Sequence, residues 1–143
     1  MTGYFTHPDC RKHEMGPGHP ECPERLDAIE DRLLITGVGD ALERREAPEA
    51  SLIDIELAHD RMMVAAMRGL SVQLAEEINA GGPRYAQLDP DTALNVHTWS
   101  AALRAAGAVM AATDAVMAGD INAAKAVLAT EATALCRGRA AAE

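Results

Sequence analysis

The chain has 143 residues, a length that predicts a single domain with a buried core. Its formal net charge is −9, from 13 Lys and Arg against 22 Asp and Glu. Nucleic acids and anionic membranes are recognised mainly by basic side chains, so this charge excludes both as expected partners. Hydrophobic residues make up 48% of the chain, but only 3% are aromatic and alanine is abundant. The core is therefore predicted to be built from small side chains.

The cysteine count and the N-terminus predict a cellular compartment. Three cysteines, an odd number, indicate free thiols. Residues 1–4 lack the basic and apolar plan of a signal peptide, and the longest apolar stretches are shorter than a membrane span. These features predict a soluble protein of the reducing cytoplasm.

The first third of the chain predicts a strand, a helix and a second strand. Residues 3–6 form a short apolar strand, and residues 41–47 form a second one. Between them, Pro23 suits the first turn of a helix, where its missing N–H leaves no unpaired donor. Apolar residues then recur every three or four positions until Gly37, which is predicted to end the helix.

The middle of the chain predicts a short and a long helix. Ser51 followed by Asp54 is typical of a capped helical turn. Asp60 is predicted to cap a longer helix that ends at residues 81–82, a Gly-Gly pair, with its methionines in the core. Residues 84–89 are predicted to be extended.

The last part of the chain predicts a loop and two helices. Residues 90–97 are predicted to form a turn-rich loop. A helix of small residues is expected to follow from Thr98 to Ala118, where Gly119 ends it. Alanine with Glu and Lys favours helix, so the tail at 124–143 is also predicted to be helical. No linker divides the chain, and residues 1–143 are expected to form one domain.

Two mirrored pairs in the N-terminal loop have the chemistry of zinc ligands. Cys10 and His13 form one pair, and His19 and Cys22 form the other. Zinc favours sulfur and nitrogen ligands, but structural zinc sites usually separate their pairs by about a dozen residues. Only five residues intervene here, so a polar loop held by prolines is the favoured interpretation. A small metal-binding module remains an alternative.

Two longer motifs carry a resemblance to a known family. "GHPECPERLDAI" (18–29) and "LDPDTALNVHTWSAALRAAGAVMAATDAVMAG" (88–119) resemble the opening of the histone deacetylase and acetylpolyamine amidohydrolase superfamily, especially its bacterial members. The resemblance covers residues 3–123. It implies a helix-rich α/β fold of the arginase and deacetylase type, in which helices flank a parallel sheet. We expect two or three of its strands here, with the first strand at an edge, or a rearranged fold.

The resemblance also implies positions at the rim and channel of the family's pocket. Arg25 matches an arginine that lines the inner channel, and His19 belongs to the same loop. Asp89 or Asp91 matches the rim aspartate that grips the substrate backbone. From the residues alone, Arg25 can equally pair with Glu21 or Asp27 at the surface. The two aspartates can equally form loop turns or cap helices.

The family's catalytic groups have no counterpart in this sequence. Two aspartates and a histidine bind its zinc, a histidine pair does its acid–base work, and a later tyrosine polarises the carbonyl. This chain has no adjacent histidines and none after His97. Since amide hydrolysis requires a metal-activated water and a base, no catalytic residue, metal ligand or cofactor is expected.

A catalytically inactive, truncated deacetylase-like protein is therefore the predicted function. Truncation leaves strand edges and apolar helix faces uncovered, which favours a homodimer or a higher homo-oligomer. One alternative is a zinc-dependent deacetylase fragment that is active only with a partner chain supplying the metal site. The metal-binding module is the other.

Overall fold

The structure is a computed structural model that describes residues 1–127, in which strands alternate with helices. The strands are β1 (Thr2–Thr6), β2 (Leu42–Glu46), β3 (Ala86–Asp89), β4 (Thr92–Leu94) and β5 (Ala123–Ala126). The helices are α1 (Glu24–Thr36), α2 (Leu52–Glu56), α3 (Arg61–Asn79) and α4 (Thr98–Met117). Short 3-10 turns lie at Pro8–Arg11 and Val38–Ala41.

A three-stranded parallel sheet, ordered β2-β1-β5, lies at the centre of the fold. The prediction of a small parallel sheet in a helix-rich α/β fold is confirmed. The expectation that the first strand lies at an edge is wrong, because β1 pairs with a strand on each side. Its buried Tyr4 and Phe5 explain this position, since a parallel strand covered on both faces is the most apolar strand of its sheet.

The first residues of the predicted tail helix are extended instead. Ala123–Ala126 form β5, whose backbone pairs with Thr2–Phe5 of β1. Helix preference is a weak local effect, and tertiary pairing with a buried strand outweighs it here. The rest of the predicted tail helix, residues 128–143, lies outside the described residues.

A hairpin replaces the predicted loop before α4. Residues 84–89 were predicted to be extended, and β3 confirms this; Thr92–Leu94 then pair with it in an antiparallel arrangement as β4. All three residues of β4 are buried. A strand of three residues is too short to give a periodic signal, which is why the sequence predicts only a turn there.

Side-chain caps set the helix boundaries as predicted. The Ser51 hydroxyl accepts the Asp54 N–H at 3.2 Å, and the Asp60 carboxylate accepts the N–H groups of Met62 and Met63. The prediction that the methionines of α3 lie in the core is wrong for Met62, whose exposure is 81%. The cap fixes a register in which Val64, not Met62, turns inward.

The core is built mainly from the small residues of α4, as its composition predicts. Ala108, Ala112 and Ala115 are buried against Phe5 of β1 and Ile121. Their small size lets the helix lie close to the sheet, although each contributes little apolar area. No helix within residues 1–127 has the length and apolar composition needed to cross a bilayer.

The segment between β2 and α2 crosses directly over α4. The Ala50 N–H donates to the Leu103 carbonyl of α4 at 3.0 Å. At the crossing, a Cβ on Gly107 would lie 2.0 Å from the Pro48 carbonyl oxygen. Only glycine allows this close approach of two backbones.

A partly buried polar contact ties β1 to α1 and β2. The Tyr4 hydroxyl donates to Glu30 at 2.7 Å, and Arg44 donates to both oxygens of the same carboxylate at 3.2 and 2.8 Å. Burial raises the pKa of Tyr4 far above its ordinary value, and the Glu30 hydrogen bond adds to this effect. The Arg44 hydrogen bonds lower the pKa of Glu30.

Gly107→Ala is expected to destabilise the fold by about 3 kcal/mol, because neither backbone at the crossing can move away from a new methyl group. Urea denaturation followed by circular dichroism measures the change. Thr113→Ala, at an exposed position of the same helix, is the control and should change stability by less than about 0.5 kcal/mol. Equal midpoints for G107A and T113A would contradict the crossing.

Glu30→Gln is expected to cost about 1 kcal/mol at neutral pH, since it removes the charge between Tyr4 and Arg44. A lowered folded-state pKa means that Glu30 stabilises the fold above its ordinary pKa near 4.5 and loses this contribution as the pH falls. The stability difference between E30Q and the parent should therefore shrink between neutral pH and about pH 3. A difference that stays constant over that range would refute this role.

Candidate functional site

The first motif begins in a tight loop that joins the Pro8–Arg11 turn to α1 and continues into that helix. Gly16 and Gly18 adopt positive φ angles of 107° and 79°, which glycine adopts without strain. The His19 N–H donates to the Gly16 carbonyl, and its Nδ1 accepts the Glu21 N–H at 3.0 Å. The imidazole of His19 is therefore used to shape its own loop.

Arg25 lies in the first turn of α1, and its side chain is 50% exposed. Its guanidinium donates to the Glu21 carboxylate, as the surface alternative predicts. Exposed pairs of this kind add little stability, but this one holds the loop against the start of the helix. Glu21 thus joins both motif residues of the loop: its N–H binds His19 and its carboxylate binds Arg25.

The two aspartates of the second motif lie at the tip of the β3–β4 hairpin. The Asp89 carboxylate accepts the Asp91 N–H at 2.8 Å. This hydrogen bond closes a turn around Pro90. Asp91 is exposed, whereas Asp89 is half-buried. This geometry distinguishes the two candidates: Asp89 shapes the turn, and Asp91 is the one presented to solvent.

A buried polar cluster, which the sequence did not indicate, connects the N-terminal loop to the second motif. His13 Nδ1 lies 2.7 Å from the hydroxyl of Thr98, the first residue of α4, and both side chains are buried. The same hydroxyl accepts the Asn95 N–H at 2.9 Å, and the Asn95 side chain donates to the Lys12 carbonyl. The N-terminal loop is thereby fastened to the start of α4.

A second contact fastens the N-terminal segment to α4 two residues further along the helix. The Asp9 carboxylate accepts hydrogen bonds from Lys12 at 2.6 Å and from Ser100 at 3.0 Å. The Lys12 hydrogen bond is the main reason why the pKa of Asp9 is lowered. His7 Nδ1 accepts the Asp9 N–H, and its Nε2 lies 3.1 Å from Glu46 at the end of β2.

The four candidate zinc ligands lie in different surroundings. Cys10 is fully buried in the apolar cluster between β1 and α1, while His13 contacts Thr98. His19 binds within its own loop, and Cys22 is half-buried. No three His, Cys, Asp or Glu side chains in residues 1–127 are grouped to hold a metal ion. The described residues therefore do not bring these four side chains together as one zinc site.

The site as a whole is a scaffold for two loops. Thr98 and Ser100 of α4 contact the N-terminal segment from one side. Within the loop, Glu21 hydrogen-bonds to His19 and Arg25. Asp91 and the half-exposed Arg25 are the predicted rim and channel residues that remain accessible on these loops. Such an arrangement can present polar groups to a ligand.

The model of the histone deacetylase domain matches residues 19–133. No curated protein matches the chain in sequence. Solved structures do match, and one is the HD domain of HDA15, with a TM-score of 0.76 and 24% identity. The match covers 89% of this chain but 34% of that domain, so the chain spans about a third of its length.

Thr98→Val is expected to lower the Tm by about 5 °C, because it leaves the buried Asn95 N–H and the His13 imidazole without the hydroxyl they share. Thr98→Ser keeps the hydroxyl and should change the Tm by less than half as much. Thermal unfolding followed by circular dichroism compares the two. If T98V and T98S have the same Tm, the cluster does not hold the loop.

Proposed function

Because the chain belongs to the histone deacetylase domain family, we propose that it is a deacetylase-like module that self-associates and does not hydrolyse amides by itself. The observation that carries this proposal is the exposure of large apolar side chains on every helix. Leu34 of α1 is 78% exposed, Leu57 after α2 is 83% exposed, and Met117 of α4 is 81% exposed. Each would gain roughly 1.5–3 kcal/mol on full burial.

The strands offer a second reason for association. Among residues 1–127, β2 and β5 are the outer strands of the central sheet. A sheet of three strands buries less apolar surface than a larger one, and open edges favour pairing with another chain. A two-fold dimer is the simplest closed arrangement that covers the same surface on both copies.

The proposed lack of hydrolysis is supported by the use that the fold makes of the motif residues. His19 and Arg25 bind Glu21, and Asp89 binds Asp91. In addition, the 143 residues contain no adjacent histidines and none after His97. Metal-assisted hydrolysis needs a metal, a base and an electrophilic group around one water, and these loops contribute none of the three.

One alternative is favoured by a specific observation. The chain spans about a third of the HD domain that it matches, which is consistent with a module that needs a second polypeptide to complete its pocket. The same exposed helix faces would then bind that polypeptide instead of a second copy. Zinc-dependent amide hydrolysis would appear only in the complex.

Light scattering coupled to size exclusion at micromolar concentration tests the association, and a dimer or larger species is expected. A folded monomer at these concentrations would overturn this part of the proposal.

An assay with an acetyl-lysine peptide, in buffer supplemented with zinc, tests the chemistry, and only the uncatalysed rate is expected. Hydrolysis by the purified chain that a chelator abolishes would overturn the proposed inactivity, whereas hydrolysis regained only in a co-purified complex would establish the alternative.

A further inference from the structure

One side of α3 presents a regular row of exposed residues. Met62, Ala65, Gly69, Val72 and Glu76 are spaced alternately by three and four positions, the spacing of a helix–helix contact. Each of them is exposed within the described chain. We call this row the α3 face. All of these residues except Met62 also border an open cavity of about 590 Å³ that α2 lines on its other side.

Gly69 at the middle of the α3 face has no explanation within residues 1–127. A glycine inside a helix costs about 1 kcal/mol relative to alanine. A Cβ at this position would meet nothing within 4 Å, so the packing of the described chain does not require glycine. With Ala65 one turn earlier, it forms a flat patch on which a second helix backbone can lie closely.

Charge makes the α3 face compatible with a second copy of itself. Arg61 lies at the start of α3 and Glu76 lies near its end. In an antiparallel pair centred on Gly69, Arg61 of each copy falls beside Glu76 of the other, giving two opposite-charge contacts. Arg61 is 83% exposed and pairs with Glu56 at 2.9 Å, and an exposed pair of this kind is exchanged at little cost.

The exposed apolar face of α4 lacks this complementarity. The outer side of α4 exposes Val109, Met110 and Met117, and its charged residue there is Asp114. The segment 105–117 contains no Lys or Arg, so two copies of this face would bring like charges together. In a chain with a net charge of −9, a surface that carries both signs is better suited to self-contact than a surface that carries negative charge alone.

We propose that the α3 face binds the same face of a second copy, antiparallel and about a two-fold axis through Gly69. This inference rests on the proposed self-association and names its surface. The small residues let the helices approach, Met62 and Val72 lose their exposed area, and Arg61 and Glu76 fix the antiparallel direction.

Gly69→Gln tests the contact, because it places a long side chain at the centre of the face while favouring the helix. The dimer dissociation constant, measured by analytical ultracentrifugation, should rise at least about tenfold while the helical circular dichroism is retained. Val109→Gln on α4 is the matched control and should leave the constant unchanged. In an E56Q background, R61E and E76R should each weaken the dimer, and the double swap should restore it.

The outcomes separate this inference from the proposal on which it rests. A parent chain that stays monomeric overturns the self-association and the α3 contact together. A parent dimer that G69Q does not weaken overturns the α3 contact alone, and the proposed self-association then stands on another surface. Failure of the double swap to restore the dimer would overturn the antiparallel arrangement.

Discussion

The close approach of α4 to the rest of the chain is the constraint on which the structure depends. Its inward face is made of alanines, and Gly107 lets the β2–α2 connection pass at backbone contact distance. The same helix carries Thr98 and Ser100, which hold the N-terminal loop. The core and the motif loops are thus positioned by one element, because its small residues leave room for the sheet and its polar residues reach the loops.

Features governed by short-range chemistry could be predicted from the sequence. Ser51, Asp60 and Gly37 act on neighbouring backbone groups, so the helix ends they define follow from a few adjacent letters. The two motifs also carried enough information to indicate the family's layered fold. The pairing of Ala123–Ala126 with β1 could not be predicted, because the partner strand lies about 120 residues earlier and alanine locally favours helix.

In the candidate site, too, short-range contacts could be predicted and long-range contacts could not. The pairing of Arg25 with Glu21 spans one helical turn and was among the alternatives that the sequence left open. The contact between His13 and Thr98 joins residues 85 positions apart, and neither residue type signals the other. Single polar residues in loops are common, so only the fold reveals which of them meet. Family resemblance identified the loops, while their internal hydrogen bonds became visible only in three dimensions.

An alanine-built core also shapes how the surface is used. Alanine buries little apolar area, so the larger apolar side chains that would stabilise an ordinary core lie partly on the outside, as at Leu57 and Met117. Burying such residues against another chain would add stability that the interior lacks, but a net charge of −9 opposes the approach of two copies. The proposed association would therefore depend on where charge is balanced as much as on where apolar surface is exposed. On the described surface, α3 satisfies both conditions, since Arg61 and Glu76 border an apolar row with a glycine at its centre.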